Sequence, residues 1–278
     1  MPLWNDVGKD IVFADDSCSI IHGDSKDEVD QKIESVVNAR CELFRLAGFS
    51  INAKKSEIMG FGFTPNDILV DGVRIDPVPE VKFLGLSIRS DLSWKTQAKN
   101  LCNKIRVAAS RIRTEGALFS IKDRLLLFNG WIMGSVYSNG LAYLPFLTKG
   151  QQLDIQTAMN SGVRAIFNLP RYGKQPLRAL RVKLKIPSIS EVTKLVVMKE
   201  AWKKRKEYVV SEYAGPKTRN RSNLKLPVLD KKGWSGNSLK AVLVSAWNDL
   251  PLSLKISESP SFVKHELKKL LFCREDSY

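Results

Sequence analysis

The stretch Phe13-Ala14-Asp15-Asp16, between the apolar runs Ile11-Val12 and Ser19-Ile20-Ile21, predicts the first element of the fold. Strand-favouring residues on both sides of an aspartate-containing turn indicate a tight antiparallel hairpin. Neighbouring side chains in a strand point to opposite faces, so two adjacent carboxylates can share one metal ion only where the backbone turns. The hairpin tip is therefore a candidate site for a divalent cation. An isolated Asp-Asp pair is more often a simple turn, and the downstream sequence has to decide between the two interpretations.

A helix is expected directly after this hairpin. Ser25-Lys26-Asp27-Glu28 has the S-x-x-E form of a capping box, and apolar residues then recur at helical spacing as far as Gly48, which is typical of a helix end. Strands are expected over residues 56–61 and 81–88. Asp71-Gly72 between two apolar runs predicts a second hairpin.

From Trp94 onward the pattern becomes helical. The first of these helices carries an apolar stripe that would pack on the rest of the fold. Its remaining surface is crowded with the cations Lys95, Lys99, Lys104, Arg106, Arg111 and Arg113. Further helices are predicted over residues 122–137, 149–167, 190–206, 238–248 and 261–272, with a linker or loop over residues 215–236.

The charge of the chain is distributed very unevenly. The 278 residues have a net charge of +15. Residues 1–93 contain 10 basic and 16 acidic side chains, a net charge of −6, and the remainder contains 34 and 13, a net charge of +21. Such a basic body favours a polyanionic partner, nucleic acid before an anionic membrane, although a solubilising surface is the simpler alternative.

Several classes of protein fit the sequence poorly. The four cysteines are far apart and lack C-x-x-C spacing, so they indicate neither a zinc site nor a disulfide framework. With only two histidines, a histidine-based catalytic triad is not expected. No secretory signal and no membrane-spanning segment is visible. We therefore expect an intracellular protein, nuclear or cytoplasmic, without a membrane partner.

Four motifs in a fixed order carry a resemblance to a known family. Phe13-Ala14-Asp15-Asp16 is followed by a helix, by Asn52-Ala53-Lys54-Lys55-Ser56-Glu57, by Val81-Lys82-Phe83-Leu84-Gly85 and by Leu92-Ser93-Trp94. In this order and at these distances they resemble the reverse transcriptases (RNA-directed DNA polymerases) of non-LTR, LINE-type retrotransposons. Arg219-Asn220-Arg221-Ser222 and Ala246-Trp247-Asn248-Asp249-Leu250-Pro251 extend the resemblance more loosely towards the end of the chain.

The resemblance implies a polymerase palm that binds two Mg²⁺ ions for nucleotidyl transfer to a DNA primer on an RNA template. Asp15 would be the principal metal ligand and Asp16 the supporting one. Lys55 would stabilise or protonate the leaving pyrophosphate. The primer end would be steadied by Val81, Lys82, Phe83, Leu84 and Gly85. The cations Lys95, Lys99, Lys104, Arg106, Arg111 and Arg113 would line a thumb and meet the phosphates of an RNA–DNA duplex.

The sequence departs from the family in one important respect. A complete palm needs a third carboxylate from an earlier strand, and it needs fingers, yet only twelve residues precede Phe13. Asp6 and Asp10 are the only acidic residues upstream, and we expect both to be surface residues. Weak metal binding without catalysis by this chain alone is the expectation.

The expected fold class is α+β. Residues 1–92 would form a partial palm, residues 93–214 a basic, helical, thumb-like region, and residues 215–278 a loop with short helices. The favoured function is that of a reverse transcriptase fragment with little or no activity alone. One alternative is a non-catalytic basic module that binds RNA or an RNA–DNA duplex. The other is a helical scaffold with no nucleic-acid role.

Overall fold

The computed structural model describes residues 8–171, 173, 175–205 and 238–272. It is α+β and about 61% helical, with three small antiparallel hairpins, which confirms the predicted class. The chain divides into two compact units, Met1–Ser93 and Trp94–Tyr278. Asp6, the predicted linker, the boundary expected at residue 215 and the Arg219–Ser222 motif lie outside the described residues.

The first hairpin forms as predicted. Strands β1 (Gly8–Phe13) and β2 (Asp16–Ile21) pair antiparallel, from Phe13 opposite Asp16 to Gly8 opposite Ile21. Ala14 and Asp15 form the two-residue turn. In β1, Asp10 is joined to helix α1 by an ion pair in which Arg40 Nη2 lies 2.6 Å from Asp10 Oδ1.

Ala14 has a φ of 53°, in the left-handed region that side chains with a Cβ disfavour. We expect Ala14→Gly to raise the free energy of unfolding of the chain by about 0.5 kcal/mol, because relief of this strain outweighs the added entropy of the unfolded state. Urea unfolding measures the change. Ala39→Gly on the exposed face of helix α1 is the matched control, and it should lower the same quantity by about 1 kcal/mol. Equal losses in the two variants would contradict the assignment of strain to Ala14.

Helix α1 (Lys26–Leu46) begins and ends where the sequence predicts. Ser25 Oγ accepts a hydrogen bond from the Glu28 backbone N–H, whereas the Glu28 carboxylate accepts from Asp24 rather than from Ser25, so only half of the capping box forms. Gly48, with a φ of 79°, ends the helix, and the Phe49 N–H reaches the Phe44 carbonyl. The buried face of α1 joins the core of the first unit, which contains Val29, Ile33, Cys41, Ile58, Val70 and Ile75.

The second hairpin is confirmed, and the two predicted strands are wrong. β3 (Ile68–Val70) and β4 (Val73–Ile75) pair across the turn at Asp71 and Gly72. Residues 81–88, predicted as one strand, belong to a third hairpin of β5 (Glu80–Phe83) and β6 (Leu86–Arg89). The chain reverses because Leu84 and Gly85 both have positive φ, 47° and 80°, as two-residue hairpin turns require.

The predicted strand over residues 56–61 does not form. In this stretch Ile58 alone makes a β-bridge, to Pro77, and Gly62 follows with a φ of 80°. A short 3₁₀ turn at Ala53–Lys55 precedes it. The chain bends at both ends of the segment, so only a single bridge is left between them.

The second unit is helical. The first helix, α2 (Lys95–Thr114), is followed by α3 (Ile121–Leu127), a π-helical turn at Phe128–Met133, α4 (Gly134–Tyr137) and α5 (Gly140–Tyr143). Then come α6 (Lys149–Ile166), α7 (Leu177–Lys183), α8 (Ile189–Lys203), α9 (Leu239–Asn248), α10 (Leu252–Lys255) and α11 (Pro260–Phe272). All of the predicted helices are present, whereas α5, α7 and α10 were not predicted.

The second unit contains two groups of packed helices. α2 packs along α6 and against the π-helical turn, and Ile105, Phe128, Ile132 and Val163 are fully buried. α8, α9 and α11 form another group around Trp202, Trp247 and Leu267. None of the described helices is both long enough and apolar enough to cross a membrane.

Candidate nucleic-acid interface

Asp15 and Asp16 lie at the exposed tip of the first hairpin. Asp15 is a turn residue and Asp16 begins β2, next to Phe13, which is 63% exposed. Among the described residues, no hydrogen bond or ion pair joins either carboxylate to Lys55, which lies exposed in the 3₁₀ turn Ala53–Lys55. The predicted catalytic trio is therefore not held together by direct contacts.

The residues described here do not fit a two-metal site. Such a site needs several converging oxygen ligands, and no group of three or more acidic, histidine or cysteine side chains that could hold a metal occurs among them. Asp10, the nearest acidic residue upstream, is already engaged by Arg40 and accepts a hydrogen bond from Ser19 Oγ at 2.8 Å. Partial burial raises the pKa of Asp10, but these hydrogen bonds outweigh the burial and keep that pKa below its ordinary value. Asp10 is thus an exposed strand residue in a structural ion pair.

The predicted primer-grip residues lie in the third hairpin. Val81, Lys82 and Phe83 belong to β5, and Leu84 and Gly85 form its turn. Arg89 of β6 pairs with Glu80 across the hairpin at 3.3 Å. The segment is thus a small ribbon with an exposed turn.

Helix α2 presents most of its predicted cations to solvent. It contains no acidic residue, and its buried stripe runs from Ala98 to Ile112. At about 100° of rotation per residue, the cations fall on the two flanks of its exposed face. One row contains Lys95, Lys99 and Arg106, and the other contains Lys104 and Arg111; all five are exposed. Arg111 lies 3.9 Å from Glu115, a surface pair of little energetic weight.

Arg113, predicted to contact phosphate, has a structural role. Its Nη1 donates a hydrogen bond to the Leu169 carbonyl at 2.7 Å. Arg124 and Arg164 were not predicted as functional residues, and they have a similar structural role in the same region. Arg124 donates to the carbonyls of Gly116, Ala117 and Ile166, and Arg164 donates to those of Pro170 and Gly173.

Each of these three arginines binds at least one backbone carbonyl at or just beyond the carboxyl end of α6. The last carbonyls of a helix have no hydrogen-bond donor within the helix itself. The only sequence signal for this role is their position near helix ends. The same signal would suit a phosphate-binding arginine equally well.

Comparison with known proteins adds nothing to this geometry. No protein-family model matches the chain, and no curated protein and no solved structure matches it either.

Proposed function

We propose that this chain binds nucleic acid through the phosphate backbone, using the exposed cations of helix α2, and that it descends from the reverse transcriptase of a non-LTR retrotransposon. One observation carries the binding part: a long helix without acidic residues is anchored by a fully apolar stripe and exposes two rows of cations. The ordered motifs that begin with Phe13-Ala14-Asp15-Asp16 support the ancestry.

The row of Lys95, Lys99 and Arg106 has a length suited to a nucleic-acid strand. Arg106 follows Lys95 by eleven residues, which corresponds to about 16.5 Å at 1.5 Å per residue. A duplex strand carries one phosphate per about 3.4 Å of axis, so the row can meet several phosphates. Lys95 opens the helix, where the dipole disfavours a cation, and an anionic partner would offset that cost. The favoured partner is RNA or an RNA–DNA duplex.

We assign nucleotidyl transfer to the ancestral polymerase and not to this chain. In the intact family enzyme, Asp15 and Asp16 would hold Mg²⁺, Lys55 would face the leaving group and residues 81–85 would steady the primer. Because the described residues offer no third ligand beside the Asp pair, we propose binding without nucleotidyl transfer for this chain itself.

Salt-dependent binding tests the proposal. The variant Lys95→Gln/Lys99→Gln/Arg106→Gln removes one row, and Lys122→Gln/Lys149→Gln/Lys194→Gln removes three exposed cations from other helices. Fluorescence anisotropy with labelled RNA and with an RNA–DNA duplex gives the slope of log affinity against log salt. We expect the α2 variant to reduce the magnitude of that slope by about 2 to 3, since each lost phosphate contact accounts for about 0.7 to 0.9.

The control separates local contact from overall charge. It should reduce the slope by less than about 1, because its three cations belong to three different helices rather than to one row. Equal effects of the two variants would refute the α2 interface. Weak binding of the unmodified chain with no salt dependence would instead favour the scaffold alternative.

A further inference from the structure

Arg181 on helix α7 is an arginine whose hydrogen-bonding groups are not satisfied. Its Nε and Nη1 atoms are buried, and no described residue accepts a hydrogen bond from them. The other arginines buried to a similar extent in this unit, among them Arg113, Arg124 and Arg164, donate to backbone carbonyls. A guanidinium left without acceptors in a partly buried place is unfavourable unless something else supplies them.

The charges around Arg181 do not make up for its burial. Burial lowers the pKa of Arg181, the Glu191 carboxylate raises it in part, and the like charge of Arg178, one turn earlier on α7, has a smaller lowering effect. The carboxylate of Glu191 attracts Arg181, but its Oε2 is taken up by the Ser188 backbone N–H at 2.6 Å and the Ser188 hydroxyl at 2.8 Å. No described carboxylate lies within ion-pair distance of Arg181. From Leu177 to Lys185 the chain has four basic residues and no acidic one: Arg178, Arg181, Lys183 and Lys185.

We propose that the exposed Arg178, together with Arg181 once its guanidinium turns outward, forms a phosphate-binding site that takes a backbone phosphodiester of the nucleic-acid partner. A phosphate presents several acceptor oxygens, which the unsatisfied N–H groups of Arg181 need. It also has a negative charge, which would balance the positive charge of this segment. The choice of nucleic acid as the source of the phosphate rests on the proposed function. The site adds a contact on α7 to those on α2.

Substitution of Arg181 separates this role from a structural one. In Arg181→Met the apolar stem is kept and the unsatisfied charge is removed, so the urea midpoint of the full chain should be unchanged or higher. RNA affinity near 0.1 M salt should fall about five- to tenfold, and the salt slope should fall by about 1, or by about 2 in Arg178→Met/Arg181→Met. Lys122→Met, which removes one exposed cation from α3, is the control and should leave affinity within about twofold.

Three further probes decide the source of the phosphate. RNA, inorganic phosphate at the same phosphate concentration, and vesicles of phosphatidylserine and phosphatidylcholine are each added to the unmodified chain and to Arg178→Met/Arg181→Met. We expect RNA alone to raise the unfolding midpoint in a way that depends on these arginines. An equal rise with inorganic phosphate, or vesicle binding that the double variant loses, would overturn the nucleic-acid assignment. A lower midpoint for Arg181→Met with unchanged RNA affinity would overturn the site altogether.

The α2 variant and the α7 double variant test the two proposals separately. If the α2 variant loses affinity and the α7 double variant does not, the α7 site is refuted and the proposed function stands. If only the α7 double variant loses affinity, the α2 interface is refuted and the α7 site stands.

Discussion

Gly162→Leu is expected to lower the free energy of unfolding by at least about 3 kcal/mol, the largest effect of any single substitution considered. Gly162 lies on α6 where the helix meets the π-helical turn. A Cβ at this position would meet the Ile132 Cδ1 atom and would lie 2.8 Å from Phe128 Cε2. Phe128 and Ile132 are fully buried, so neither can move away without disturbing the core.

Gly150→Leu, near the start of the same helix, is the matched control. A Cβ there meets only Thr148 Oγ1, at 4.0 Å. Since leucine is the better helix former, this variant should be neutral or slightly more stable. Urea unfolding of both variants measures the difference. Comparable stability of the two variants would contradict the close packing of α6 against the π-helical turn.

Arg124→Met is expected to lower the free energy of unfolding by about 2 to 4 kcal/mol. The guanidinium donates to the Gly116 carbonyl at 2.7 Å, to Ala117 at 2.8 Å and to Ile166 at 3.3 Å, so it joins the segment after α2 to the end of α6. Each of these bonds involves a charged donor, and the carbonyls lose their partner when it is removed. Arg124→Lys should restore only part of the loss, because an ammonium cannot span three carbonyls as a planar guanidinium does.

The same variant distinguishes a structural arginine from one that binds phosphate. Arg124→Met should leave the salt slope of RNA binding unchanged once the protein is folded. Arg111→Met, which removes an exposed cation with one surface partner, should do the opposite: a stability change below about 0.5 kcal/mol and a smaller salt slope. A reduced salt slope for Arg124→Met would contradict its structural assignment.

Local sequence patterns correctly predicted the elements whose conformation depends only on neighbouring residues. Ser25 and Gly48 mark the ends of α1, and Asp71-Gly72 marks a hairpin turn, because caps and tight turns depend on the φ and side chain of one or two residues. The same local rules failed at Leu84-Gly85. Leucine rarely occupies the left-handed region, so the apolar run over residues 81–88 resembles one continuous strand.

The candidate site was only partly predictable for a related reason. Periodicity places all six predicted α2 cations outside the apolar stripe, and the structure exposes five of them. Arg113 continues the row of Lys95, Lys99 and Arg106, yet its partner, the Leu169 carbonyl, is 56 residues away in sequence. No pattern within α2 can reveal such a contact.

The sequence by itself determined the α+β class, the hairpin that carries Asp15 and Asp16, the amphipathic helix α2 and the separation of an acidic from a basic part of the chain. These features depend on local preferences and on the composition of each segment. Only the tertiary structure decided which arginines find acceptors within the fold and which do not. Arg113, Arg124 and Arg164 find carbonyls that folding brings to the end of α6, whereas Arg181 is buried without an acceptor. A guanidinium has the same charge in both cases, and only the groups that folding places around it determine what it can bind.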